Sequence, residues 1–231
     1  MAKSETLVIE DDFKGFPVNC FCIANGMKND LENVLIPGGL VEDRIERMAC
    51  DVATEMGEEH FTALCVLKGG HQFFSSLVSK IRQFYRLASY TKNANKDFDC
   101  DQIREEFIRI KSYEDNVSTG KVQIFGIENL ESLKNKNVLI VEDIIDSGKT
   151  MQKLLQTLKD YELKSCRVSA LFLKRNEISK LTPDFVGFEI PDKFIVGCSL
   201  DYNERFRGLN HVCILNENAR IKYSNKSNSN N

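Results

Sequence analysis

Apolar residues along this 231-residue chain follow two rhythms, and the way these alternate sets the fold class. Short apolar or alternating runs at Phe61 to Leu67, Glu106 to Lys111, Asn137 to Val141 and Cys166 to Leu173 have the strand pattern. Between them, apolar positions recur three and four residues apart over Leu40 to Glu55, about Gln72 to Tyr85 and Thr150 to Asp160, which predicts helices. Strands alternating with helices predict an α/β fold with a mainly parallel, twisted sheet, because a helical crossover returns the chain to the same end of the sheet. Val138 to Val141 is apolar without interruption, as a strand covered on both faces requires.

The polar stretches divide the rest. Ala88 to Asp101, rich in Lys, Asn and Asp, reads as a surface excursion, and residues 112 to 121 lack a core pattern and are long enough to form a lid. Residues 224 to 231 are mostly Ser and Asn and predict a disordered tail. With no internal repeat, residues 1–223 read as a single domain.

Composition narrows the function classes. A hydrophobic fraction of 42% is ample for a core, while a net charge of −3 argues against a nucleic-acid surface, which needs a basic field. Eight cysteines without C-x-x-C spacing and three histidines give no zinc pattern and read as reduced thiols of a cytoplasmic protein. The sequence begins without an apolar leader and has no 18-residue apolar run, so neither secretion nor membrane spanning is expected.

The chemistry concentrates where the strand from Asn137 ends. Glu142, Asp143 and Asp146 precede an abrupt turn at Ser147-Gly148 and a helix from about Lys149. The first N–H groups of a helix have no internal partner and sit at its positive dipole end, so a phosphate fits there, helped by the Ser147 and Thr150 hydroxyls. Glu142 and Asp143 would repel that phosphate, yet a carboxylate accepts two hydrogen bonds and suits a vicinal diol. Together the two halves describe a ribose 5-phosphate site. A nucleotide-triphosphate P-loop shares the ending Gly148-Lys149-Thr150 but would need a glycine where Asp143 stands. The plainer alternative makes these acids a solvated loop with Asp146 as helix cap. Against it, Lys68, Glu142 and Lys174 each follow a different strand, and in open parallel sheets ligands bind beyond those strand ends.

The run from Asn137 to Thr150 resembles the phosphoribosyl-diphosphate signature of the type I phosphoribosyltransferases, most closely the branch acting on hypoxanthine and guanine. The likeness continues through Val34 to Leu40, Leu64 to Gly70, Phe107 to Tyr113, Phe172 to Arg175, Pro183 to Pro191 and Leu200 to Arg207, over roughly residues 7 to 223. It implies a core of about 35–190, a small hood from about 1–34 and 190–223, and assembly as a homodimer or homotetramer. The implied reaction transfers ribose 5-phosphate from phosphoribosyl diphosphate to N9 of a purine base and releases pyrophosphate.

The resemblance also assigns roles. Asp146 is the implied general acid/base at N7 of the purine. Glu142 and Asp143 hold the ribose hydroxyls, and with Asp201 they serve Mg²⁺. The segment Ser147, Gly148, Lys149 and Thr150 takes the 5-phosphate. Lys68-Gly69 resembles the pyrophosphate loop, whose backbone carries a non-proline cis bond, and Arg207 adds charge there. Lys174 is implied to donate to the purine O6, Phe194 to stack on the ring and Ile195 to meet the base edge through its main chain, while Ser112 and Tyr113 belong to the lid. Several positions depart from the family pattern: Ser147 for threonine, Asn176-Glu177 for Thr-Pro, Cys198 for tyrosine, a longer 88–102 region, and Gly208 in place of an aspartate, which predicts a less firmly held Arg207. A diverged copy with low activity or a nucleotide-sensing role is the alternative reading.

Overall fold

The computed structural model describes residues 5–91, 100–111, 123–126, 130–176 and 181–224. Its larger sheet combines β1 (Leu7–Val8), β3 (Phe61–Leu67), β4 (Ile103–Lys111), β5 (Gln123–Phe125), β6 (Asn137–Ile145), β7 (Ser165–Lys174) and β8 (Phe185–Ile190), in the spatial order β1-β8-β7-β6-β3-β4-β5. Only the β4–β5 pairing is antiparallel. The helices α2 (Gly38–Met56), α3 (His71–Thr91) and α4 (Lys149–Leu158) cover the sheet, while α1 (Asn25–Lys28) and α5 (Glu217–Lys222) are short.

Alternation along β6 explains why both faces need helices. Leu139 and Val141 join Met48, Phe73, Phe74 and Leu77 of α2 and α3 in one apolar cluster, whereas Val138 and Ile140 join Met151, Leu154 and Leu158 of α4 in another. All four β6 side chains are fully buried. A strand with no polar face in this stretch must lie between two layers, and Asn137 at its start satisfies its amide through Glu59, His60 and Ser165.

A second, antiparallel sheet runs β2-β10-β9, with β2 at Leu31–Ile36, β9 at Ile195–Val196 and β10 at Val212–Leu215. Its cluster of Ile23, Leu31, Val34, Val196, Phe206 and Leu215 is built from both chain ends. One part of the expected hood lies elsewhere. Leu7 and Val8 pair in parallel with Phe188 and Glu189, and the Ile9 amide donates to the Glu189 carbonyl at 2.8 Å. The β8 edge would otherwise present a row of unpaired backbone groups, which the N-terminal segment covers.

Other boundaries differ from the periodicity. The strand from Asn137 runs on to Ile145, so Glu142 and Asp143 lie within it. Helix α3 extends to Thr91 and takes in residues 88–91 of the expected surface excursion. Ser112 and Tyr113 of the expected lid, and most of residues 88–102 beyond the helix, lie outside the described residues.

Candidate active site

Three adjacent parallel strands deliver the site. At the end of β3 the Leu67–Lys68 peptide is cis, in the segment the family likeness singled out. The turn that follows lies against β6: a Cβ placed on Gly69 would stand 1.7 Å from Oδ2 of Asp143. Only glycine lets the main chain come this close to the carboxylate. Asp143 is 8% exposed, and its Oδ1 accepts from the Ile144 amide at 2.8 Å.

Glu142 and Asp143 share a hydrogen bond in which one carboxyl must keep its proton. Burial, reinforced by the neighbouring charge of Asp143, pushes Glu142 well above the usual carboxylate range. Burial also raises Asp143, but its bond with Glu142, the Ile144 amide and the positive charge of Arg207 all oppose that shift. A bound cation would relieve the crowding by favouring the ionised pair.

The turn after β6 opens α4. Gly148 is the N-cap residue, with φ 71°, a left-handed backbone that glycine adopts without a Cβ clash. No side chain caps the helix, and Gln152 N–H makes the bond back to the Gly148 carbonyl at 2.9 Å. The first-turn N–H groups are left to solvent or to an anion. The reading of Asp146 as helix cap fails on this geometry, because Asp146 lies two residues before the cap and is engaged elsewhere.

Those engagements form one of two polar groups beyond the strand ends. Lys174, at the end of β7, donates from Nζ to Oδ2 of Asp146 and to Oδ1 of Asp192, each at 3.2 Å, with its side chain 11% exposed. The Asn176 amide donates to Oδ1 of Asp146 at 3.0 Å and to its carbonyl at 3.2 Å. Asp192 and Asn176 had no assigned role from sequence. Asp192 carried no periodic or motif signal beyond lying just past the Pro183 to Pro191 segment, and Asn176 was visible only as a departure from the family pattern.

Arg207 organises the other group. It donates to the Ser199 carbonyl at 2.7 Å and pairs with Asp201 at 2.8 Å and Glu204 at 3.5 Å. Asp201 also accepts from the Glu204 amide at 2.7 Å. Glu204 reaches across to Lys68, Oε1 to Nζ at 3.1 Å, so its carboxylate lies between the two cations assigned to the diphosphate. Sequence reasoning missed Glu204, whose place three residues after Asp201 was the available signal. Arg207 is firmly held despite Gly208, contrary to the expectation of a looser arginine, because Ser199, Asp201 and Glu204 do the holding.

Not every assigned residue joins these two groups. Ser147 is half-buried, while Lys149 and Thr150 are exposed at the start of α4. Phe194 and Ile195 belong to the smaller sheet, with Ile195 buried in β9. The Phe194 ring meets Tyr202 edge-on at 5.1 Å and lies 5.2 Å from the Arg220 guanidinium. That packing fits the core-aromatic alternative for Phe194 and does not by itself assign a stacking role.

The phosphoribosyl transferase domain family model matches residues 37–203, and the hypoxanthine-guanine phosphoribosyltransferase of Bos taurus is 50% identical over 223 residues, covering 96% of this chain and 98% of that protein. The chain belongs to the phosphoribosyltransferase family. The Homo sapiens hypoxanthine-guanine phosphoribosyltransferase is likewise 50% identical over 222 residues, 96% of this chain and 98% of its own. Among solved structures, hypoxanthine-guanine phosphoribosyltransferase from Schistosoma mansoni in complex with IMP superposes with a TM-score of 0.77 at 36% identity, covering 96% of this chain and all of that one. The family match spans both Lys68 and Asp201, so this phosphoribosyltransferase has its β3, β6 and β7 site segments inside the shared domain, with Arg207 four residues past its end.

Proposed function

We propose that this chain is a purine-salvage phosphoribosyltransferase that moves ribose 5-phosphate from phosphoribosyl diphosphate to N9 of hypoxanthine or guanine, releasing pyrophosphate. The observation that carries the reading is the Lys174–Asp146 pair at 3.2 Å beside the uncapped N-terminus of α4. A cationic donor suits a 6-oxo group and opposes the amino group of adenine. A carboxylate next to it suits the proton at N7, and the helix terminus behind suits the 5-phosphate.

The chemistry is charge management. As the C1–O bond of the donor breaks, the sugar gains positive character while a polyanion leaves. Lys68 and Arg207 flank the leaving diphosphate, and Glu142 and Asp143 orient the ribose hydroxyls. Asp146 holds or delivers the proton at N7, while Lys174 keeps the base in register through O6. Phe194 and the main chain at Ile195 border the base, and Ser112 and Tyr113 are assigned to the lid that excludes water.

The donor set fits Mg²⁺. Among the described residues no three of His, Cys, Asp and Glu gather into a protein cage, and Mg²⁺ bound through substrate phosphates and water needs none. The Glu142–Asp143 pair, in which Asp143 is buried and Glu142 half-buried and desolvation opposes ionisation, offers hard oxygens that a cation would favour, and Asp201 beside Arg207 is the second candidate. Mg²⁺ bound there would neutralise charge on the diphosphate.

Net charge supports small-molecule substrates over nucleic acid, and no helix among the described residues is long and apolar enough to cross a membrane. We assign the protein to the cytoplasm, as a homodimer or homotetramer in keeping with its family. The test offers purified protein, with Mg²⁺ and phosphoribosyl diphosphate, hypoxanthine, guanine, xanthine, adenine or orotate in separate reactions. Formation of IMP and GMP is expected; product from adenine or orotate instead would overturn the reading of Lys174.

A further inference from the structure

We propose that Asn176 is a positioning residue for Asp146, clamping its carboxylate in the orientation that faces the purine while Lys174 holds the other oxygen. The inference rests on Asp146 being the proton carrier. Asn176 Nδ2 donates to Oδ1 of Asp146 at 3.0 Å and to the Asp146 carbonyl at 3.2 Å. Both target atoms only accept, so the amide nitrogen and not its oxygen must face them. Two bonds from one NH₂ group to one residue fix the torsions between its main chain and its carboxylate.

The clamp has something to restrain. Asp146 has 59% of its side chain exposed and lies at the end of a strand, just before the turn at Gly148. Lys174 contacts only Oδ2 and shares its ammonium with Asp192, so alone it would leave the carboxylate free to rotate. The mount is rigid. Arg175, immediately before Asn176, donates its amide to the Ile190 carbonyl at 2.8 Å, and its guanidinium reaches Glu189, the Ile9 carbonyl and Asp11 at 2.8–2.9 Å. A neutral donor also has a chemical advantage over a second cation. Its bond to the carboxylate loses less when Asp146 takes up a proton, so the clamp persists through both protonation states.

The alternative is that Asn176 merely stabilises the turn after β7. Full-length protein with Mg²⁺, phosphoribosyl diphosphate and hypoxanthine separates the two by steady-state and single-turnover kinetics. Asn176→Ala is expected to lower kcat roughly tenfold, the scale of a hydrogen bond to a charged group, with KM for phosphoribosyl diphosphate unchanged. Asn176→Asp keeps the shape but sets like charge against Asp146, so its loss should be larger. In an Asp146→Asn background, Asn176→Ala should cost little more, because neighbours acting through one group are not additive.

Full turnover in either single variant, or an equal loss in both Asp146 backgrounds, would overturn the clamp. Should Asn176→Ala lower the melting temperature, the isosteric Asn176→Asp decides. If Asp146→Asn itself turns over like the parent, the assignment of Asp146 fails, and that outcome is distinct from failure of Asn176 alone.

Discussion

The two ends of the candidate site are built on different terms. At the base end, Asp146, Lys174 and Asn176 hang from the ends of β6 and β7, central strands whose apolar side chains are locked between two helical layers. At the proposed diphosphate end, Arg207, Asp201 and Glu204 belong to an irregular loop in which Cys198, Ser199, Asn203, Glu204 and Phe206 all take positive φ between 49° and 72°. Side chains that rarely adopt this backbone must be held in it by the surrounding contacts. The proposed base end is mounted on strands fixed by packing, whereas the proposed diphosphate end is held by an irregular loop and by the Lys68–Glu204 pair, whose side chains are half or more exposed.

The sharpest break of this comparison is at the rigid end. Asp146→Asn keeps the shape and removes the proton acceptor, so kcat should fall by about 10²–10⁴-fold while affinity for phosphoribosyl diphosphate changes little. Unchanged turnover, measured by nucleotide formation, would remove Asp146 from the chemistry. The next largest effect joins the two ends. Gly69→Ala would drive a methyl into the Asp143 carboxylate, whose Oδ1 is tied to the Ile144 amide and cannot swing away freely. The expected outcome is a loss of about 1–3 kcal/mol in stability and roughly 10- to 100-fold in kcat/KM, read by denaturation and kinetics on the same sample. A variant with both values intact would mean that the β3 turn does not brace the ribose carboxylates.

How much of this was legible in the sequence follows the same division. Periodicity located β3, β6, β7 and all three large helices, because a strand buried on both faces and an amphipathic helix write their packing directly into residue order. The end of β6 was misjudged because Glu142 and Asp143 look like loop residues, yet ladder pairing carries the strand to Ile145 and buries Asp143. The smaller sheet and the seat of Leu7–Val8 were illegible as strands, since two- to six-residue strands from distant parts of the chain carry little local signal. At the site, the charged residues could be named from the motif. Their partners could not: that Asn176 turns to Asp146, or that Glu204 spans Lys68 and Arg207, depends on where loops return in space.

Glu142 and Asp143, proposed to orient the ribose, lie between the two ends, and the desolvation of Glu142 makes a smaller, pH-dependent prediction. The Glu142 carboxyl holds its proton to a higher pH in the folded chain than in the unfolded one. Between the ordinary glutamate value of about 4.3 and that raised value, the folded state binds more protons, so stability must fall as pH rises through the window. Glu142→Gln removes the titration and leaves an amide that can donate to Asp143. It should flatten this slope and raise stability at neutral pH by on the order of 1–3 kcal/mol, even as ribose binding suffers. Melting curves of the ligand-free protein from pH 4 to 8 measure it; a slope unchanged by the substitution would place the titration elsewhere.

The smallest effect tests the loop end. Glu204 is bonded to Lys68 and lies near Arg207, and the bond with Lys68 holds its carboxyl below the usual range, so it stays charged throughout the working pH. With Lys68 and Arg207 as the proposed diphosphate cations, an incoming diphosphate competes with this internal anion for both. Exposed ion pairs are individually weak, so the penalty is modest: Glu204→Gln should lower KM for phosphoribosyl diphosphate by roughly two- to fivefold, with little change in kcat. The difference should shrink as salt is added, because screening weakens the exposed pairs that Glu204 makes. A raised KM would give Glu204 the opposite role, that of holding Lys68 and Arg207 in the positions the diphosphate needs, and the loop end would then be as pre-arranged as the strand end.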